Sequence, residues 1–302
     1  MRKQFCDAMV ARAVSPDFVF LTGDLGFMAL EPLQEALGER FINAGIAEQN
    51  MVSVAAAMAR EGCDAWVYSI APFAYARPFE QIRNDVTFHG LPVRIVGNGG
   101  GYGYGVMGAT HHAIEDYGVM LTLPGMQVCV PVFDEDVEEA VRWSGACAGP
   151  VYLRLGRGEL PKGQVAPPWA PWRQLVCGDG ATVVAVGPLA GSYMEALAAL
   201  PQAERPNLWA VSALPVTDHP PPALLLDQLR ISRHLVVAEE HVAQGGLAAS
   251  LVLWLAGRQA VPERVDHLCA TSHTFDRYGS QAWLRRQVGL DPQTLMSRLG
   301  PR

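Results

Sequence analysis

The first apolar run, Phe18-Val19-Phe20-Leu21, is closed by Thr22-Gly23-Asp24-Leu25-Gly26, which predicts a short buried strand ending in a loop. From Ala47 to Ala59 the composition is helical, the pattern stops near Gly62, and almost no polar face is left, which predicts a buried helix. Ala65-Trp66-Val67-Tyr68-Ser69 reads as a strand, and Pro78 to Phe88 as a helix opened by its proline. Val93-Arg94-Ile95-Val96 is a strand running into a glycine-dense loop, Gly97 to Gly108, and Met126 to Val132 and Val151 to Leu155 complete a first sheet. This alternation of short apolar runs with helical patterns predicts an α/β protein with a mostly parallel sheet.

Between Gly156 and Trp172 the texture changes. The run Ala166-Pro167-Pro168-Trp169-Ala170-Pro171 interrupts regular structure and predicts a linker over 157–173. The α/β rhythm then restarts with a strand at Ala181 to Val186, a helix at Ser192 to Leu200 and a strand at Leu208 to Val211. A proline knot, Pro220-Pro221-Pro222, precedes a helix at Ala223 to Leu229; a strand at His234 to Ala238 follows, and Gly245-Gly246 opens an apolar helix to about Ala256. The expectation is two three-layer α/β/α domains, 1–156 and 174–302, without an internal repeat.

Composition narrows the classes of function. Of 302 residues, 50% are hydrophobic and 18% charged, which argues against disorder. A net charge of -7, with 23 basic against 30 acidic residues, disfavours nucleic acid as a partner, because phosphate binding needs concentrated cations. No apolar run approaches the roughly 18 residues that a membrane span requires. The N-terminal segment Met1-Arg2-Lys3-Gln4-Phe5 is not a signal region, so a soluble, cytoplasmic protein is expected. Cysteines at 6, 63, 129, 147, 177 and 269 show neither a Cys-x-x-Cys nor a metal-ligand spacing, and are expected to be reduced thiols.

Candidate chemistry sits in four loops at strand ends, where open α/β sheets place their ligands. In the first, Asp24 is either a helix cap or a ligand group. The second, Asn43-Ala44-Gly45-Ile46-Ala47-Glu48, puts Glu48 near the start of the helix predicted to be buried, and a buried carboxylate must be paired or must hold a proton for use. The third, Ile70 to Arg77, carries aromatics that serve either the core or a ligand. In the fourth, glycines from Gly97 to Gly108 let backbone approach a ligand, ahead of Thr110-His111-His112. The Gly-Lys-Ser/Thr ending of a phosphate loop is absent, and adjacent histidines point apart on a helix, so no metal site is expected.

Taken in order, Gly23-Asp24-Leu25, Gly45-Ile46-Ala47-Glu48-Gln49, Phe73 through Arg77, Glu80-Gln81-Ile82-Arg83, Thr110-His111, Leu153 through Pro161, and Glu239-Glu240-His241 with Gly245-Gly246 resemble the C-terminal half of the transketolase family of thiamine-diphosphate enzymes. The resemblance spans residues from about 5 to 290. It implies a pyrimidine-binding domain followed by a transketolase C-terminal domain. The family's diphosphate-binding domain is missing. Gly178-Asp179-Gly180 with Asn207 is similar to its magnesium motif, but it precedes a strand where the motif should follow one, so it is rejected. The resemblance therefore implies the β subunit of a split enzyme. An α subunit would hold most of the diphosphate and Mg2+, thiamine diphosphate would bind between the chains, and the assembly would be α2β2.

By the same resemblance, Glu48 protonates the cofactor's aminopyrimidine, Phe73 stacks on that ring beside Ile70, and Asp24 and Arg77 complete the cofactor contacts. His111 meets substrate hydroxyls and joins Glu48 as a catalytic residue. Arg157 alone of the family's phosphate ligands is retained. Met107 stands where relatives read sugar stereochemistry with an aspartate, and Met28 where they place a serine, so the acceptor pocket is expected to be more apolar. The expected reaction is transfer of a two-carbon ketol unit from a ketose. Two alternatives stay open: the β subunit of a 2-oxoacid dehydrogenase or carrier-linked transferase, and a catalytically silent scaffold.

Overall fold

The computed structural model describes residues 1–300. The parallel strands β1 (Phe18–Thr22), β2 (Phe41–Asn43), β3 (Asp64–Ile70), β4 (Arg94–Asn98), β5 (Gln127–Cys129) and β6 (Val151–Leu155) form most of a first sheet. After residues 156–171, which hold neither strand nor helix, come β7 (Trp172–Val176), β8 (Thr182–Val186) and β9 (Asn207–Val211). β10 (Ala213–Leu214) crosses back to pair antiparallel with β5, and β11 (His234–Glu239) and β12 (Arg264–Cys269) complete a second sheet. The orders are β10-β5-β6-β4-β3-β1-β2 and β12-β11-β8-β9-β7, with helices against both sheets. The α/β expectation therefore holds.

Three strands and a crossing carried no sequence signal. β2 is three residues long and half-exposed. β7 follows directly on the proline run, and the edge strand β12 alternates its apolar residues with Arg264, Asp266 and His267. β10 joins the first sheet from the second half of the chain, a long-range pairing that periodicity does not encode. The expected helix over 78–88 is present over 79–87, as an α-helical turn at Phe79–Gln81 continued by a π-helical segment, Ile82–Thr87.

Small residues explain why the helix Glu48–Arg60 sits so close to the sheet. Met51, Val52, Ala55, Ala56 and Ala59 pack with Val19, Leu21, Ala65 and Val67. Its opposite face is exposed at Gln49, Asn50, Ala57 and Arg60, so the helix is not buried all round as its composition predicted. The other side of the sheet is covered by the helix Arg2–Arg12, whose Phe5 stacks on Tyr68 with ring centroids 5.6 Å apart.

The two sheets meet across a polar seam. Arg154, on β6, lies 2.8 Å from Asp116 and donates to the backbone carbonyls of Ala113 and Glu240, each at 2.9 Å. Tyr152 also donates to Asp116, at 2.8 Å. Across the seam Glu240 accepts from the Tyr102 amide at 3.0 Å and from Arg285 at 2.7 Å. Glu239 accepts from Tyr117, from His267 at 2.8 Å, and from the amides of Leu247 and Ala248, so it caps the helix Leu247–Ala256 from outside it. The motif Glu239-Glu240-His241 is thus a joint between the halves. His241 stacks on Tyr117 at 4.0 Å and accepts from the Gly118 amide.

Burial alone would raise the pKa of both carboxyls. For Glu239 the bonds from His267, Tyr117 and the Ala248 amide outweigh it, and for Glu240 the Arg285 and Arg154 charges do, so both are held below the ordinary value. The stability they contribute is therefore fully present above the unfolded-chain value of about 4.3 and is lost as pH falls through the folded values. Arg154→Met strands Asp116 without its counter-charge and should lower the unfolding free energy by about 3–5 kcal/mol. Urea titration at neutral pH checks this, and an unchanged midpoint would refute the account of the seam.

Candidate active site

The loops at the carboxyl ends of β1, β3 and β4 converge beside the start of the helix Glu48–Arg60. Glu48 is only 5% exposed, because its helix is pressed on β3 by the alanine face. Its Oε1 accepts from Arg77 at 2.8 Å, and Ser69 Oγ stands 3.5 Å away. Arg77 also lies over the Phe73 ring, 3.9 Å from guanidinium carbon to centroid. The His111 ring meets Phe73 edge-on at 5.2 Å and Tyr104 at 6.3 Å. Glu48, Arg77, Phe73 and His111, drawn from three separate loops, thus form one contiguous cluster of an acid, a cation, an aromatic face and an imidazole.

Burial, and then the Arg77 charge, push the His111 pKa below the usual imidazole value. At neutral pH the ring is uncharged and offers one N–H and one lone pair. Thr110 Oγ1, 3.0 Å from Nδ1, occupies one of these and leaves Nε2 for a further partner.

Asp24 is exposed and accepts from Asn43 Nδ2 at 3.2 Å, while Asn43 Oδ1 accepts from the Gly45 amide. It therefore braces the turn that delivers Glu48, and the nearest following helix, Glu31–Leu37, begins without a side-chain cap. Ile70 ends β3 in register with Asn98, half-buried. Met28 is 91% exposed at a positive φ of 60°, on the loop that follows β1. Phe27 and Ile46, at 74% and 81%, are open on neighbouring loops at the same sheet end. Met107 lines a separate cavity, on the far side of the His111 loop.

A cavity of about 300 Å3 adjoins the cluster, lined by Arg2, Asn98, Gly99, Tyr104 and Arg157 among others. Asn98 donates to the Tyr104 hydroxyl at 2.6 Å. Among the described residues, neither Arg2 nor Arg157 has a carboxylate partner. Arg2 has no signature in the sequence: it stands in the first helix, far from any motif, and only the fold brings it to Arg157. The glycines correct one expectation. A side chain at Gly99, φ +78°, would strike Tyr104, and one at Gly100 would strike Arg154, so these glycines admit the protein's own side chains.

The rejected magnesium motif has an internal role. Asn207 Oδ1 accepts from Gln174 at 2.9 Å and from the Gly178 amide at 3.3 Å, which pins the turn before β8. Among the described residues no group of three or more His, Cys, Asp and Glu is placed to hold a metal.

Residues 5–162 match the family model for the transketolase pyrimidine-binding domain. The chain belongs to the transketolase family. A solved structure described as a split-gene transketolase, inactive β4 tetramer, superposes with a TM-score of 0.84 at 30% identity, over 99% of this chain and 96% of that one. One of the subunits of the apulose-4-phosphate transketolase of Actinobacillus succinogenes is 26% identical over 88% of this chain and 86% of its own length. The corresponding subunit of the apulose-4-phosphate transketolase of Phocaeicola vulgatus is 35% identical over 53% of this chain, an alignment that spans about half, 52%, of that protein.

Within this cluster of the transketolase-family chain, the contact of His111 with Arg77 can be checked by NMR. Its imidazole should titrate below the ordinary value, and Arg77→Met should move the midpoint upward by removing the nearest positive charge. A midpoint unmoved by the substitution would separate His111 from Arg77.

Proposed function

We propose that this chain supplies the pyrimidine side of a two-chain transketolase that moves a two-carbon ketol unit from a ketose donor. In this reading residues 1–156 form the pyrimidine-binding domain, 157–173 the linker and 174–302 the C-terminal domain. An α subunit carries the diphosphate-binding domain and holds the diphosphate and Mg2+, in an α2β2 assembly. The open apolar side chains Phe27, Met28 and Ile46, at the sheet end that bears the cluster, support a partner docking there. The six unpaired cysteines suit a reducing, cytoplasmic setting. Among the described residues no helix is long and apolar enough to cross a membrane.

The observation that carries the reading is the contact of Glu48 with the Phe73 face through Arg77. The guanidinium is planar, bonds the carboxylate and covers the ring, so Arg77 holds the place an aminopyrimidine would take. Thiamine diphosphate, when bound, supplies a nucleophilic thiazolium carbon. Glu48, buried and at a helix start, would hold the aminopyrimidine by sharing a proton with it. Phe73 would orient the ring beside Ile70, Asp24 would meet the cofactor near its thiazolium, and Arg77 would swing outward to a cofactor contact of its own, which its 44% exposure permits. His111 hydrogen-bonds substrate hydroxyls through Nε2. Arg2 and Arg157 hold an anionic terminus of the sugar, with Met107 and Met28 at the margins of the substrate path. Two unpaired arginines in one pocket favour a phosphorylated or similarly charged sugar over a lipoyl arm.

Glu48→Gln should reduce turnover of the reconstituted enzyme by about 10²–10⁴-fold while co-purification with the α subunit is retained. Undiminished turnover would remove Glu48 from the chemistry. Calorimetric titration of thiamine diphosphate with Mg2+ should show binding to the αβ mixture and none to this chain alone; tight binding to the single chain would overturn the shared site. Arg2→Ala and Arg157→Ala should each raise KM for a phosphorylated sugar at least tenfold. The unphosphorylated analogue should change little, and an equal rise for both would remove the anion assignment.

A further inference from the structure

Beside the loop that bears His111 lies a second cavity, of about 200 Å3, which shares only Met107 with the proposed substrate path. One wall is Gly105, Met107, Thr110 and His112; the other is His273, Thr274, Arg277 and Tyr278 from the second half of the chain. His112 is 4% exposed, yet no hydrogen bond of good geometry reaches either of its ring nitrogens. Nδ1 of His273 is likewise buried without a partner, although its Nε2 is paired with Glu115. The rings of His112 and His273 stack 6.0 Å apart. Among the described residues Arg277 has no carboxylate partner; its guanidinium lies over the face of Trp283, 5.0 Å from the centroid, and none of the residues lining the cavity is Asp or Glu.

Buried imidazole nitrogens without well-placed partners are costly, and this cavity, partly open to solvent, leaves room for one. Burial, and then the neighbouring His273, hold the His112 pKa below the usual value although the Gly105 and His273 carbonyls act the other way. The ring is thus neutral at physiological pH and can donate one hydrogen bond and accept one. A single exposed guanidinium supplies the positive charge. Such a set, one fixed cation with N–H and hydroxyl donors and an acceptor, complements an oxyanion that also bears a proton or hydroxyl.

We propose that this cavity is a binding site for a small oxyanion, a carboxylate or phosphate, that bridges the two halves of the chain beside the loop that bears His111. Arg277 and Thr274 would hold it from one side, and Thr110 and His112 from the other. An anion there would tie the loop that carries His111 and Met107 to the C-terminal half, and would couple its own affinity to that of the sugar. The site is separate from the Arg2–Arg157 pocket, and it rests on the transketolase reading only for this coupling.

The test is calorimetric titration of inorganic phosphate, and in parallel of glycolate, into the 302-residue chain and three variants. Arg157→Ala should retain one class of site, and Arg277→Ala should weaken that class at least tenfold. Arg277→Lys should recover part of the loss, because the charge returns without the planar fork. Since Arg277 is exposed, its replacement leaves the fold intact, and melting temperature verifies this. Preference for phosphate or glycolate identifies the anion. Identical titrations of wild type and Arg277→Ala would overturn the proposal and leave the Arg2–Arg157 assignment standing. Complete loss of anion binding in Arg157→Ala would do the same. Retention of all binding in Arg157→Ala would instead sink the sugar-terminus reading and spare this site.

Discussion

The geometry of the whole chain depends on one buried guanidinium. Arg154 leaves the first sheet at the end of β6 with almost no exposure, and its charge is met by Asp116 and by the carbonyls of Ala113 and Glu240. A charge so far from water persists only when a counter-charge and acceptors meet it, and its partners come from both halves of the molecule. The glycine at 100 exists to let it through. From this point the seam extends through Tyr152, Glu240 and Arg285 on one side and Tyr117, Glu239 and His267 on the other. The loop that bears His111 is carried on the same segment, since residues 101 and 113 pair across its base.

Reading the chain by its pattern recovers most strands of both sheets, because each is a short run of Val, Ile, Leu and aromatic residues walled by glycine or proline. It fails where stability comes from elsewhere. β2 and β12 lie at sheet edges and carry polar side chains, and β10 is two residues long, held by β5 from far earlier in the chain. The helix Glu48–Arg60 looked uniformly apolar because alanine counts as hydrophobic, yet Ala57 faces outward.

The site shows the same division. Glu48, Phe73 and His111 were legible because each belongs to a loop motif at a strand end, and the fold brings those loops together. Arg2 was not, since a single arginine in a first helix follows no pattern. The glycine loop is legible only in part. Its composition promises room for a ligand, whereas Gly99 and Gly100 make room for Tyr104 and Arg154, and the space for ligands lies beside them.

The strand exchange at β10 has a mechanical result. The second half of the chain contributes Ala213 and Leu214 to the edge of the first sheet, while the stretch 156–171 merely runs between the two. Cutting the covalent tether would therefore leave the pieces clasped, by a ladder at one end and by the Arg154 junction at the other. Melting of the second half would strip β10 from β5 and open that edge of the first sheet, so heat or denaturant should meet the two sheets as coupled rather than independent bodies, and force applied at the termini would load the clasp along with the sheets.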